Sequence, residues 1–115
     1  MIKDLNSNEE LDKAIEDSKK APVYIYKHSS SCNISAGAWR EVQAISNERP
    51  EIEFRRIMVR ENKILSREIA EKLGVEHQSP QIILVNKGVP VWSATHYAIT
   101  SDTILGALKF IESEE

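Results

Sequence analysis

The chain contains a single cysteine, Cys32, within the segment Lys27-His28-Ser29-Ser30-Ser31-Cys32-Asn33-Ile34-Ser35. A thiolate is the nucleophile of disulfide exchange, and unpaired backbone N–H groups in the first turn of a helix lower the pKa of a thiol there. The three serines offer helix N-caps after an apolar run, so we predict that Cys32 begins a helix as an activated thiol. A buried, inert cysteine is the alternative, but the polar and basic residues upstream favour an exposed loop.

Ser35 stands three residues after Cys32, where a dithiol oxidoreductase has its second cysteine. A serine cannot resolve a mixed disulfide, although its hydroxyl could donate a hydrogen bond to the Cys32 thiolate. The pattern C-x-x-S therefore predicts monothiol chemistry, in which an external thiol regenerates Cys32. The residues expected around the thiol are Lys27, His28, Ser31, Asn33 and Ser35.

Ser79-Pro80 directly precedes the most apolar run of the chain, Gln81-Ile82-Ile83-Leu84-Val85. Proline is disfavoured at a central strand, and a cis peptide bond would explain its presence. The backbone of Ser79 would then face the Cys32 loop and could pair with a peptide-like substrate. The alternative is an ordinary proline at the start of a strand, and the presence of Cys32 favours the substrate site.

Three histidines, His28, His77 and His96, fall at strand ends or in loops on the expected side of Cys32. A histidine beside a thiolate can lower its pKa or carry its proton. We include His77 and His96 with Ser79 and Pro80 as candidate substrate-binding residues, although any one histidine is more often a surface residue. Their spacing with Cys32 matches no compact zinc signature, so no metal site is predicted.

The hydrophobic periodicity supplies the elements that must position these residues. Helices are predicted from the capping box Ser7-Asn8-Glu9-Glu10 to about Lys20, from the serine run to before Pro50, over 64–73 and from Thr100 or Ser101 onward. Strands are predicted over 23–26, 52–59, 81–85 and 89–94, the last two joined by a hairpin at Asn86-Lys87-Gly88. Trp39 and Trp92 are expected to be packing residues.

The resulting order, α-β-α-β-α-β-β-α, predicts an α/β protein with a thioredoxin-like fold. Right-handed crossovers and the closing hairpin give a four-stranded mixed sheet with helices on both faces. We expect one domain covering residues 1–115. The net charge of −3 provides no basic surface for nucleic acid or an anionic membrane. The sequence shows no signal peptide or membrane-spanning run, so a cytoplasmic location is expected.

The segment 27–35 resembles the active site of the monothiol bacilliredoxins of low-GC Gram-positive bacteria. The segments 74–82, 92–96 and 99–100 also resemble that family. The resemblance implies that Cys32 attacks S-bacillithiolated proteins and removes bacillithiol from them after oxidative stress. It also implies that Ser79-Pro80 forms a cis-proline loop, and that bacillithiol is a low-molecular-weight co-substrate rather than a bound cofactor.

One position departs from the family pattern, because many members have proline directly after the cysteine and this chain has Asn33. Asn33 restores a backbone N–H and loosens the turn, which leaves the pKa and the redox potential of the thiol open. Two other functions also stay open. One is a non-catalytic adaptor that binds a protein partner, and the other is a redox sensor in which modification of Cys32 alters a partner contact.

Overall fold

The computed structural model of this protein describes residues 1–30 and 33–114, so Ser31, Cys32 and Glu115 lie outside the described residues. The strands in the described part are β1 (Ile2–Asp4), β2 (Val23–His28), β3 (Glu53–Met58), β4 (Gln81–Asn86) and β5 (Val89–Thr95). The helices there are α1 (Asn8–Asp17), α2 (Asn33–Glu48), α3 (Lys63–Leu73) and α4 (Ser101–Glu114), with a short 3₁₀ turn, η1 (His96–Ala98), before α4.

The strands form one mixed sheet in the order β1-β3-β2-β4-β5. β3 is parallel to both β1 and β2, whereas β4 is antiparallel to β2 and to β5. Helices connect the parallel strands, and the β4–β5 hairpin closes the sheet. Lys87 and Gly88 both have positive φ in this hairpin, as a type I′ turn requires. This architecture is the thioredoxin fold, which confirms the predicted fold class.

The prediction of four strands was wrong by one, because β1 adds a fifth strand at the edge of the sheet. β1 comes before α1, which was predicted to be the first element of the chain. β1 has three residues, of which Ile2 is half-buried and the other two are exposed. Such a segment is too short to show the alternation by which a strand is recognised. Its position is fixed by pairing with β3, and the amino group of Met1 donates to the Ile52 carbonyl.

Two element boundaries lie two or more residues away from the prediction. α1 ends at Asp17 rather than near Lys20, because the Ser18 hydroxyl donates to the Ile15 carbonyl and accepts from the Gly88 N–H. β2 continues two residues beyond Tyr26 and ends at His28. The strand therefore extends to within four residues of Cys32.

The sheet separates two apolar cores, as the prediction of helices on both faces requires. Side chains alternate between the faces of a strand. Tyr24 and Tyr26 of β2 pack with residues of α2 and α4. Val23 and Ile25 pack on the opposite face with residues of α1 and α3. Trp39 and Trp92 both pack against the first core, as predicted.

Candidate active site

The end of β2 that leads to Cys32 is buried, which corrects the expectation that the basic residues there form an exposed loop. Lys27 is fully buried and His28 is 8% exposed. The interpretation of each histidine as a surface residue was therefore wrong for His28. Lys27 pairs with Ile57 of β3 and with Gln81 of β4, so it lies in the middle of the sheet.

A buried hydrogen-bond network connects β2 to the first turn of α2. The Tyr26 hydroxyl lies 3.1 Å from the Ser35 carbonyl oxygen and 3.0 Å from Nδ1 of His28. A carbonyl oxygen can only accept, so the single proton of the hydroxyl is donated to Ser35. Nδ1 of His28 must then carry a proton and donate it to the Tyr26 oxygen. The neutral form of His28 therefore has its lone pair on Nε2.

Burial of His28 is the main reason that its pKa lies below the ordinary value, and the nearby positive charge of Arg56 lowers it further. The carboxylate of Glu61 acts in the opposite direction. Both dominant effects disfavour the imidazolium form. His28 is therefore a neutral imidazole at neutral pH, and it can accept a proton at Nε2.

The Ser35 side chain closes the segment that contains Cys32. Ser35 is fully buried, and its hydroxyl accepts a hydrogen bond of 3.2 Å from the Ser29 N–H. This bond joins the residue after β2 to the first turn of α2. Ser31 and Cys32 fall within the closed segment but outside the described residues, so the predicted hydrogen bond from Ser35 to the Cys32 thiolate stays a prediction.

Lys27 and His77 meet on the other face of the sheet. Nζ of Lys27 lies 3.1 Å from Nδ1 of His77, and burial lowers the pKa of Lys27 to about 8. The pKa of His77 is also lowered, first by burial and then by the charge of Lys27. A neutral His77 accepts from the Lys27 ammonium at Nδ1. This contact ties the loop before Pro80 to the central strand.

The Ser79–Pro80 peptide bond is cis, which is the conformation that the sequence interpretation favoured. Gln81 holds the preceding loop, because its side chain accepts from the Gln78 N–H and donates to the Glu76 carbonyl. The hydroxyl of Ser79 is buried and has no hydrogen-bond partner among the described residues. Sequence reasoning treated Gln81 only as a strand residue, and nothing in the local sequence marks it as a loop anchor.

The sheet brings three predicted residues into one row. Lys27 pairs with Gln81, and Gln81 pairs with Thr95. The residues beside these positions, His28, Pro80 and His96, therefore follow each other across the same end of the sheet. The His96 N–H donates to the Pro80 carbonyl at 3.1 Å, which fixes η1 against the cis-proline loop. Asn33 and His96 line a common cavity of about 450 Å³ between α2 and η1.

His77 does not join this row. The Lys27 side chain lies on the face of Ile25, whereas that of His28 lies on the face of Tyr26. His77 meets Lys27 and lines a different cavity, beside α3. The residues predicted to bind substrate are therefore divided, because Pro80 and His96 lie in the row with His28 whereas His77 lies beside Lys27 on the other face.

Arg56 lies beside the hydrogen-bond network of Tyr26 and His28, and the sequence analysis did not identify it. Its guanidinium lies 4.6 Å above the Trp39 ring, and Trp39 stacks on Tyr26 at 5.9 Å. Trp39 also contacts His28 with a ring separation of 5.8 Å. Arg56 thus covers the network from the solvent side, where it is held by an ion pair of 2.9 Å with Asp4. The two partners of this pair are 52 residues apart, so no local pattern could reveal it.

Residues 1–30 and 33–114 contain no cluster of three or more histidine, cysteine or carboxylate side chains that could hold a metal ion. None of the helices in the same residues is long and apolar enough to cross a membrane. Nδ1 of both His28 and His77 is already engaged, by Tyr26 and Lys27 respectively.

Comparison with known proteins gives a consistent result. A family model described as monothiol bacilliredoxin BrxC matches residues 3–104. A solved structure with a thioredoxin fold is 31% identical, with a TM-score of 0.84 over 92% of each chain. Thioredoxin from Fasciola hepatica has 20% identity and a TM-score of 0.74 over 94% of this chain and 97% of its own. The long form of spinach chloroplast thioredoxin f has 15% identity and a TM-score of 0.76 over 96% of this chain and 86% of its own. The last two matches show the fold alone.

Proposed function

The chain belongs to the monothiol bacilliredoxin family, and from this premise we propose that it removes bacillithiol from S-bacillithiolated proteins through Cys32. The family and the fold assign the protein a thiol redox role, with thiol-modified proteins as partners in general. The proposal adds the modifying group, the C-x-x-S monothiol mechanism and a cytoplasmic setting. A free catalytic thiol persists in such a reducing compartment.

The first step of the proposed reaction is a thiol–disulfide exchange. The Cys32 thiolate attacks the bacillithiol sulfur of the protein–bacillithiol disulfide. A new disulfide forms between Cys32 and bacillithiol, the original S–S bond breaks, and the target protein leaves as a thiolate. No external oxidant or reductant is needed, because one disulfide replaces another.

The second step regenerates the enzyme. The thiolate of a free bacillithiol molecule attacks the sulfur of the bacillithiol bound to Cys32. Cys32 leaves as a thiolate, and the two bacillithiol molecules form a symmetric disulfide. The sum of the two steps transfers the oxidation from the target protein to the bacillithiol pool.

The observation that carries the monothiol mechanism is the position of Ser35. It occupies the place of a resolving cysteine, is fully buried, and engages its hydroxyl with the Ser29 N–H. Cys32 is also the residue before Asn33, where the 16-residue helix α2 begins, and the positive end of a helix dipole favours a thiolate. Nε2 of His28 is available as a proton acceptor in the same region.

The test is turnover on a defined substrate. A protein carrying one bacillithiol disulfide is incubated with catalytic amounts of the enzyme and excess bacillithiol, and loss of the modification is followed by mass spectrometry. We expect many turnovers for the wild type and none for Cys32→Ser. Release that continues with Cys32→Ser contradicts the proposal. A single stoichiometric modification of Cys32 without turnover supports the redox sensor, and binding to a partner without any thiol chemistry supports the adaptor.

A further inference from the structure

A cavity of about 450 Å³ lies between α2 and η1, next to the start of α2. Asn33, the residue after Cys32, lines one side, and His96, which is bonded to Pro80, lines another. Ile34, Ala38 and Ile99 provide apolar lining. Small-molecule sites typically have volumes of about 300–1,000 Å³ and combine apolar walls with a few polar groups. The cavity therefore has the size and lining of a site for a small organic molecule beside the thiol segment.

Gly37 lines the same cavity from the second turn of α2. Glycine is among the least favourable residues in a helix interior, so its presence there needs a reason. Packing within the described residues does not supply one, since among them a Cβ at this position would come no closer than 3.8 Å to Nη2 of Arg40. Any larger side chain would instead take up space at the cavity wall. Gly37 thus keeps open a space that no described residue fills.

Two opposite charges also line the cavity, Arg40 and Glu41. Neither forms an ion pair with any residue in the described part of the chain, although the Ser101 hydroxyl donates to Oε2 of Glu41 and orients this half-buried carboxylate. A guanidinium recognises a carboxylate, and a carboxylate recognises an ammonium group. This pair of unmatched charges fits a ligand that carries both groups.

We infer that this cavity is the recognition site for the body of the low-molecular-weight thiol, and that its two charged lining residues bind the carboxylate and the ammonium group of an amino-acid-derived thiol. Arg40 binds the carboxylate, and Glu41 binds the ammonium. Arg40 lies about 10 Å along α2 from Asn33, so the ligand has about the length of a tripeptide. The inference rests on the proposed function, since it assigns a recognition site to the thiol that enters and leaves at Cys32.

The kinetic test measures regeneration of Cys32 from its mixed disulfide by glutathione, bacillithiol and the neutral thiol 2-mercaptoethanol. We expect Arg40→Gln and Glu41→Gln each to raise the KM for glutathione and for bacillithiol about twofold to fivefold, as loss of one partly exposed ionic contact predicts. The rate with 2-mercaptoethanol should not change. Arg49→Gln, directly after the last residue of α2 and ion-paired with Glu51, is the charge control outside the cavity.

A second pair of variants tests the space itself. Gly37→Gln extends a side chain from the cavity wall. Gly106→Gln is the control, because this glycine of α4 lines none of the cavity and a Cβ added to it would meet nothing within 4 Å. Both substitutions favour the helix, so both proteins should fold, as circular dichroism can verify. We expect the Gly37 variant alone to raise the KM for glutathione and bacillithiol.

A binding measurement separates failure of this inference from failure of the proposed function. Cys32→Ser is titrated with S-methylglutathione, which cannot react, and backbone amide shifts are recorded by NMR. Saturable shifts at Gly37, Arg40 and Ile99 support the cavity even if no turnover is found. Turnover with an unchanged KM in all three cavity variants, or shifts confined to other surfaces, overturns the inference and leaves the proposed function standing.

Discussion

Nζ of Lys27 lies 3.1 Å from Nδ1 of His77, and this contact links the centre of the sheet to the loop that precedes Pro80. Lys27 is fully buried, and burial lowers its pKa from 10.5 to about 8. A buried ammonium is unfavourable unless it is paired, and a neutral imidazole is a weak partner for it. The charged form of Lys27 therefore lowers the stability of the folded protein. This effect makes the free energy of unfolding depend on pH.

We predict that Lys27→Met changes the pH dependence of stability. Above pH 8 Lys27 loses its proton in the folded protein, whereas the unfolded chain keeps it up to about pH 10.5. The unfolded state then binds more protons, so the stability of the wild type rises with pH in this window. The variant lacks this contribution. Urea unfolding at pH 7, 8, 9 and 10 should show the wild type gaining stability relative to Lys27→Met.

Lys13→Met is the control for this measurement, because Lys13 is 77% exposed on α1. The difference in unfolding free energy between Lys13→Met and the wild type should not vary with pH between 8 and 10. NMR titration of Lys27→Met should also show a higher pKa for His77, since one of the two effects that lower it is removed. A parallel pH profile for wild type and Lys27→Met would mean that Lys27 keeps its charge inside the fold.

Tyr26→Phe tests the network at the start of α2. Removing the hydroxyl deprives the Ser35 carbonyl and His28 of a buried partner, and we expect a loss of about 1–3 kcal/mol in unfolding free energy. The Cys32 pKa, followed through the pH dependence of its alkylation rate, should shift as His28 loses its fixed tautomer. Tyr24→Phe is the matched control. Its hydroxyl donates to the Ile104 carbonyl, so its loss should lower stability without altering the thiol.

Arg56→Gln tests whether the charge above Trp39 acts on His28. Burial is the larger cause of the lowered pKa of His28, and the Arg56 charge is the second. We therefore expect NMR titration to give a higher pKa for His28 in the variant than in the wild type. Asp4→Asn breaks the same ion pair but keeps the Arg56 charge, so it should not raise this pKa. An equal rise in both variants would indicate a change of structure rather than of charge.

Much of the fold follows from local sequence signals. The capping serine of α1 is one, since Ser7 Oγ accepts from the Glu10 N–H. The stop of α3 is another, because Gly74 has the left-handed conformation expected at a helix C-terminus. The hairpin after Asn86 is a third. These features depend on a few adjacent residues, so the sequence alone can predict them.

The parts that escaped prediction depend on distant contacts. β1 exists because it pairs with β3. Lys27 is buried between β3 and β4, and its side chain contacts His77, which lies 50 residues away in the sequence. Polar residues at the end of a strand normally indicate an exposed position. Lys27 and His28 are exceptions, because each is buried with a specific hydrogen-bond partner. The sequence predicts a set of candidate site residues, but it does not predict their division between the two sheet faces, since that depends on where the sheet places each loop.

Ser35 provides the most direct test of the monothiol mechanism. Ser35→Ala leaves the Ser29 N–H without its partner, and we expect a loss of about 1–2 kcal/mol in unfolding free energy, measured by urea denaturation. Turnover should persist, because the hydroxyl does not attack the disulfide. Complete loss of turnover in a folded Ser35→Ala protein would assign the hydroxyl an essential chemical role that the monothiol mechanism does not include.

Ser35→Cys should convert the protein from monothiol to dithiol chemistry. Residues three apart at the start of a helix lie close together, so the introduced thiol can attack Cys32 and release the small thiol from its mixed disulfide. We expect the product to be an internal disulfide, detected by mass spectrometry as the loss of two hydrogens. Recycling should then require a dithiol reductant, and the dependence on the concentration of bacillithiol should disappear. If the variant instead accumulates the Cys32 mixed disulfide as the wild type does, the two positions do not meet, and the assignment of Ser35 to the resolving position is wrong.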